Sequence, residues 1–217
     1  MKAKTLKHAV TSFFTAIKTK NIVPIEHIVD DAKVLDKKVA LITGASGGIG
    51  YAIAKSFIES GCHVIITGTN AEKLKSCVEK LGDSSKGIFV SQKIAKYFVE
   101  NKIKGHILNI SSSTGGEPGW SAYRISKQAI ENLTLGLAQK LSPYGIFVNG
   151  IAPGSTATNL LNYKDGDSIA TRDNVIGRMV MPDKIATYAK MLVSDLGNMV
   201  VGETIYISGG RGKFDIR

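Results

Sequence analysis

The chain has 217 residues, with 28 Lys plus Arg against 18 Asp plus Glu for a formal net charge of +10, and it is 43% hydrophobic and 21% charged. That balance is the balance of a globular domain, with room for at most two, and it excludes a disordered chain. Two cysteines are too few for a disulfide framework, and no apolar stretch approaches the roughly 20 residues of a membrane span.

The basic residues form no single block, and no helix-turn-helix or RNA-binding signature accompanies them. The charge therefore reads as a surface suited to an anionic ligand, not as a nucleic-acid interface. Cys62 and Cys77 have no His or Cys partner at metal-ligand spacing, so no metal site is expected; they read as reduced, mostly buried thiols of a cytoplasmic protein.

Composition shifts once, near Asp36. Residues 1–37 lack glycine and are rich in lysine; residues 38–217 form the main domain. In the first segment Leu6, Val10, Phe13, Phe14 and Ile17 share one helical face, with Lys2, Lys4, Lys7 and Lys18 largely elsewhere. This reads as a helical extension docking on the main domain or on a second subunit. A membrane-surface helix and an arginine-free transit peptide are the weaker alternatives.

From Lys38 onward strands alternate with helices. Val39 to Ile42 is a short apolar run ending in Thr43-Gly44, and a helix follows from about Gly48 to Ser60. His63 to Thr67 is a second strand. Ala71 to Leu81 is a helix with Asn70 at its N-cap. Ile88 to Asn101 is another helix, although Ile88-Phe89-Val90 is also compatible with a strand. His106 to Ile110 is the third strand, and Ala122 to Leu141 is a long helix closed by Ser142-Pro143. Ile146 to Asn149 is the fourth strand, Lys184 to Ser194 a helix, and Thr204 to Ser208 the last strand. Short apolar strands alternating with amphipathic helices predict an α/β fold built on a parallel sheet.

Two stretches carry chemistry. Thr43-Gly44-Ala45-Ser46-Gly47-Gly48-Ile49-Gly50 joins the first strand to the first helix. Glycines there permit a sharp turn and a close approach of backbone to a pyrophosphate, which the free amides and positive end of the helix favour. No Gly-Lys-Ser/Thr follows, so the turn is not a P-loop. The ribose-binding carboxylate expected at the end of the second strand is absent: Thr67-Gly68-Thr69-Asn70 stands there, with Lys73 nearby. Thr69 and Asn70 as hydrogen-bond donors to a 2′-phosphate favour NADP over NAD, with NAD kept as the alternative.

The second stretch pairs Tyr123 with Lys127, four apart and so on one helical face. Upstream, the third strand runs into Ser111-Ser112-Ser113-Thr114-Gly115-Gly116, which places hydroxyls at the C-terminal edge of a parallel sheet, where such folds bind ligands. Hydride transfer to a carbonyl needs a proton donor at the forming alkoxide. A phenol is a poor base near neutrality unless a neighbouring ammonium favours its anion. A serine hydroxyl on the other side of the oxygen would fix and polarise it.

With TGASGGIG at Thr43–Gly50, NISSS at Asn109–Ser113, YRISK at Tyr123–Lys127, NGIAPGSTAT at Asn149–Thr158 and a late strand followed by Gly-Gly at Ile205–Gly210, the chain resembles the short-chain dehydrogenase/reductase family over roughly Asp36 to Gly212. The resemblance implies a Rossmann-like doubly wound sheet and hydride transfer between NADP(H) or NAD(H) and a small carbonyl/alcohol substrate. It implies Tyr123 as general acid/base, with Lys127 favouring its phenolate and holding the nicotinamide ribose. Ser112 orients the substrate carbonyl, a role that Ser111 and Ser113 fit less well. Gly44, Ser46, Gly48, Ile49 and Gly50 line the cofactor, Thr69 lies on its ribose side, and Pro153, Gly154, Thr156 and Thr158 form the loop that closes on the nicotinamide end. Trp120 is expected near the pocket mouth or in an interface. A homodimer or homotetramer joined through the helices at 88–101 and 122–141 is implied as well.

One departure is large. The family carries a third and a fourth strand, with their helices, between the second strand and the NISS strand. Here Leu81-Gly82-Asp83-Ser84-Ser85 runs directly into Lys86-Gly87-Ile88-Phe89-Val90, and Ser84 stands where the family has an Asn. About two strands are therefore missing, and one of them is central in the order 3-2-1-4-5-6. Two outcomes are open: the NISS strand slides over to pair with the first, or the sheet is broken. The second functional reading follows from this loss: a catalytically impaired chain that only binds a dinucleotide or serves as a scaffold.

Overall fold

The computed structural model describes residues 33–67, 72, 73, 76, 91–164 and 166–214. The predicted N-terminal helix lies outside them, as do Thr69, Asn70, Cys77 and Ser84; of the helix predicted over 71–81, residues 72, 73 and 76 are helical.

The described residues form five strands: β1 (Val39–Thr43), β2 (His63–Thr67), β3 (Gly105–Ile110), β4 (Ile146–Pro153) and β5 (Thr204–Ile207). The principal helices are α1 (Gly48–Glu59), α2 (Ser91–Glu100), α3 (Ala122–Leu141) and α4 (Pro182–Val193). Local chemistry sets their ends. Ser121 caps α3 by accepting the Arg124 amide at 3.3 Å. Gly145, at φ 71°, closes the turn that follows Ser142-Pro143. Pro182 opens α4 at a position that has no use for an N–H, two residues before the predicted start.

Every strand pairing is parallel, but the strands form two sheets: β1-β2, and β3-β4-β5. Among the described residues β3 does not slide across to pair with β1, and no strand joins the two sheets. Among the described residues, β1 pairs on one edge only, from Val39 opposite His63 to Thr43 opposite Thr67. β4 pairs on both edges, with β3 and β5.

The halves are held together on one face by α4. It packs against α1 and also touches β3 and β4. Phe57, Val64 and Ile66 share one apolar core with Ile151, Ile185 and Leu192, and Leu108 and Ile110 of β3 pack against it. Leu35, just before β1, is buried in the same core. A second core, on the opposite face of the larger sheet, joins Ile107, Val148 and Ile146 to Ala95 of α2 and Ala138 and Leu141 of α3. Ile107 and Val148 are register partners, and alternate residues of β3 and β4 face opposite cores, as strands covered on both sides must.

β4 runs four residues beyond its predicted end at Asn149. Asn149 is buried, but both polar atoms of its side chain are bonded: Nδ2 donates to the Val200 carbonyl at 2.6 Å and Oδ1 accepts the Glu203 amide at 3.1 Å. Gly150 then leaves the room β5 needs, since a Cβ there would lie 2.6 Å from Thr204 Oγ1. Among the described residues no helix is long and apolar enough to cross a membrane.

Candidate active site

The glycine turn connects β1 to α1 at the C-terminal edge of the small sheet. Gly44 (φ 69°) and Gly48 (φ 54°) hold left-handed conformations that other residues rarely adopt. Gly50 serves packing: a Cβ there would lie 2.5 Å from the Gly44 carbonyl oxygen and 2.9 Å from Ala45 Cα. Ser46 is half-buried, and Ile49 turns its side chain to the apolar core, so it would face a ligand through its backbone. No side chain caps the N-terminus of α1 and no acid sits in its first turn. An uncapped, positive helix end behind a glycine cradle has the chemistry to receive an anion.

On the larger sheet the chain leaves β3 at Ile110 into the three serines. Ser111 and Ser113 are buried. Ser111 Oγ donates toward the Lys127 carbonyl at 2.9 Å and Glu131 Oε1 at 3.1 Å. Ser112 is half-buried, and its Oγ accepts from Thr114 Oγ1 at 3.0 Å and from the Thr114 amide at 3.4 Å. Of the three hydroxyls, only that of Ser112 belongs to a residue that is not fully buried.

Tyr123 opens α3 with its ring exposed, and Lys127 follows one turn later. Lys127 Nζ lies 5.5 Å from the centre of the Tyr123 ring and donates to the Ile110 carbonyl at 3.4 Å. The ammonium thus sits between the phenol and the end of β3. Pro153 ends β4, and Gly154 passes so close to the tail that a Cβ would lie 2.8 Å from Ser208 Cα. Thr156 is buried and its Oγ1 donates to the Gly154 carbonyl at 2.8 Å. Thr158 Oγ1 donates to the Thr156 carbonyl at 3.4 Å. Its methyl would stand 3.5 Å from a Cβ built on Gly48. The loop after β4 therefore reaches the glycine turn and bridges the two halves at their C-terminal edges.

Of the two places expected for Trp120, the single chain supports no packing in a pocket. Trp120 is 93% exposed and packs in no pocket, because Arg124 fixes the loop beneath it by donating to the Pro118 carbonyl at 2.9 Å and pairing with Glu117 at 3.0 Å. Sequence reasoning also missed Glu131. Its carboxylate accepts Ser111 Oγ at 3.1 Å and the Tyr206 hydroxyl at 2.8 and 3.0 Å, tying the serine turn to α3 and β5. Burial, and then the bond to Glu131, push the Tyr206 phenol up. The available signal was Glu131's position one turn after Lys127, on the same helical face. A shallow cavity of about 610 Å³ lies along the outer side of α3, lined by Glu117, Arg124, Gln128 and Asn132 among others. Among the described residues no cluster of His, Cys, Asp and Glu could hold a metal ion.

A family model described as short chain dehydrogenase matches residues 38–93, and one described as enoyl-(acyl carrier protein) reductase matches residues 84–211. The chain belongs to the short-chain dehydrogenase/reductase family of NAD(P)-dependent oxidoreductases. It is 31% identical over 236 residues to the 3-oxoacyl-[acyl-carrier-protein] reductase FabG of Rickettsia felis, covering 81% of this chain and 97% of the relative. It is 27% identical over 247 residues to the enzyme of that name from Aquifex aeolicus, covering 81% and 98%. Among solved structures, the 3-ketoacyl-(acyl-carrier-protein) reductase of Brucella melitensis complexed with NADH superposes with a TM-score of 0.72 at 24% identity, over 82% of this chain and 99% of that one. A short-chain type dehydrogenase/reductase from Mycobacterium marinum gives 0.72 at 22% identity, over 82% and 96%. These structures share the fold. Since 81% of 217 residues is about 176, about 60 of the 236 positions aligned with the Rickettsia relative have no counterpart here. The two family models meet at residues 84–93, where the sequence places the loss.

Proposed function

We propose that the protein reduces a small carbonyl compound with NADPH as the preferred dinucleotide, and that a 3-oxoacyl thioester is the substrate class to test first. The observation that carries this reading is the Tyr123 ring beside the Lys127 ammonium, with that ammonium bonded to the end of the strand that leads into Ser112. The glycine turn supports the dinucleotide: Gly44, Ser46, Gly48, Ile49 and Gly50 would offer backbone to the pyrophosphate, and Pro153, Gly154, Thr156 and Thr158 would border the nicotinamide end. The lack of an acid over Thr67–Asn70 supports NADP over NAD. The relatives' printed activity suggests the thioester.

The bound dinucleotide would supply the hydride. Ser112 Oγ donates to the carbonyl oxygen and orients it. Tyr123 gives its phenolic proton to the oxygen as negative charge develops there. Lys127 steadies the resulting phenolate by its charge and holds the ribose. Glu131 keeps the serine turn in place from behind.

The exposed Tyr97 of α2 and Ile125, Leu133 and Leu135 of α3 support a homodimer or homotetramer joined through these helices. The reading is of a cytoplasmic enzyme. The test is NADPH oxidation with 3-oxoacyl thioesters and simple ketones, run beside Tyr123→Phe. Turnover lost in the variant supports the reading. Dinucleotide binding with no turnover in the parent chain would assign a binding role instead.

A further inference from the structure

The chain leaves β5 into a tail that no catalytic role uses. It turns through Gly209 (φ 64°) and Gly210 (φ 95°), and Ser208 Oγ donates to the Arg211 carbonyl at 2.7 Å. Gly212 is pressed under the serine turn, where a Cβ would run into the Ser113 carbonyl. The Arg211 side chain then reaches two separate loops. Its Nε donates to Glu117 Oε1 at 2.7 Å. Its Nη1 lies 3.4 Å from Asp173 Oδ2 and 3.4 Å from Ser155 Oγ, and Ser155 Oγ donates to Asp173 Oδ2 at 2.6 Å. Glu117 lies between Ser112 and Tyr123. Ser155 and Asp173 lie in the segment that follows Gly154. A backbone bond from the Val175 amide to the Gly209 carbonyl, at 3.1 Å, ties that segment to the tail as well.

We propose that Arg211 is a positioning residue that fixes the spacing between the wall bearing Ser112 and Tyr123 and the loop bearing Pro153 to Thr158. Its function in turnover rests on the reading given under Proposed function; its clamping of the two loops does not. The geometry needs arginine. A planar guanidinium can present different N–H groups to two carboxylates at once, whereas a lysine ammonium is a point charge on a mobile stem. The Arg211 side chain is 26% exposed and that of Glu117 20%, so the contact is partly shielded from water. Removing Arg211 still leaves Glu117 paired with Arg124 and Asp173 bonded to Ser155, so the fold is expected to survive the substitution.

The experiment compares Arg211→Met and Arg211→Lys with the parent full-length chain, by amide hydrogen exchange and by steady-state kinetics with a 3-oxoacyl thioester and NADPH. Arg211→Met is expected to raise exchange about tenfold in residues 113–119 and 171–178 together, with α4 unchanged. It is expected to lower kcat by about tenfold, because small misplacements of reacting groups cost rate steeply, while KM for the dinucleotide stays within about threefold. Arg211→Lys should fall between the two. Unchanged exchange, a rise in only one segment, or a kcat within about twofold of the parent overturns the proposal. Should Arg211→Met lose its thermal transition, Asp173→Asn cuts one arm and should raise exchange in 171–178; no rise there overturns it equally. Tyr123→Phe separates the two readings. If it turns over like the parent, or the parent does not turn over, the functional reading fails and the exchange pattern alone decides the clamp.

Discussion

β1 and β4 are both short, apolar, parallel strands, yet they live differently. All but one residue of β4 is buried, with strands on both sides and helices on both faces. β1 is half-exposed along its length, and Val39 is 67% exposed. The half containing β4 is pinned by polar contacts between distant segments: Asn149 with Val200 and Glu203, Glu131 with Ser111 and Tyr206, Arg211 with Glu117. The half containing β1 is held by apolar packing of α1 on α4, with one exposed long-range ion pair, Lys38 to Asp195 at 3.1 Å. The proposed proton-handling groups thus sit on the closely tied side and the proposed phosphate cradle on the loosely tied one.

The largest expected effect sharpens this contrast without touching stability. Tyr123→Phe should lower turnover by about 100-fold or more and leave dinucleotide binding and the melting midpoint unchanged; equal turnover would remove the assigned acid. Next comes the bridge between the halves. Ile185 is fully buried in α4, and Ile185→Ala should cost about 2–5 kcal/mol. Denaturant unfolding followed by separate probes in each half would show one transition moving as a whole if the halves are one cooperative unit, and an early loss of the β1 half if they are not. Glu131→Gln weakens two charge-assisted bonds on the tied side and should cost about 1–2 kcal/mol, read as a lower urea midpoint. It should also bring the Tyr206 phenol down toward its ordinary value, because the charge that helps to hold it up is gone.

The smallest effect concerns pH. Burial, aided by Lys38, lowers the pKa of His106 below 6.5, and its Nδ1 has no hydrogen-bond partner among the described residues. The unfolded chain therefore binds this proton more readily, so the contribution of His106 is whole above about pH 6.5 and is lost as pH falls toward the depressed folded value. His106→Phe should flatten the stability profile between pH 7 and 5; an unchanged slope would assign acid sensitivity elsewhere. In the alkaline range Cys62, pushed up to about 11 by burial, should resist alkylation until the chain unfolds.

The glycine turn and the Tyr123–Lys127 pair were legible in the sequence because their chemistry is local: a few neighbours on one turn or one helical face carry the whole signal. The continuation of β4 through Asn149 and Gly150 was not, because the groups that satisfy the one and need the space beside the other lie about 50 residues further along. Glu131 meets Tyr206 across 75 positions and Arg211 meets Glu117 across 94, and no pattern of spacing announces such pairs. Trp120 was compatible by type with a pocket mouth or an interface, and its exposure beside the loop that Arg124 ties to Pro118 and Glu117 could not be read from spacing. The missing strand was visible as an interrupted order of motifs. Which of the two outcomes followed was not legible there, because the packing of α4 against both halves joins residues far apart in the chain.

That break leaves the backbone amides and carbonyls on one side of β1, and on one side of β3, without a strand partner among the described residues. Such groups are a template on which any extended peptide can build a ladder. Among the described residues, these two margins are the places where an added extended segment would find ladder partners, one against β1 and one against β3.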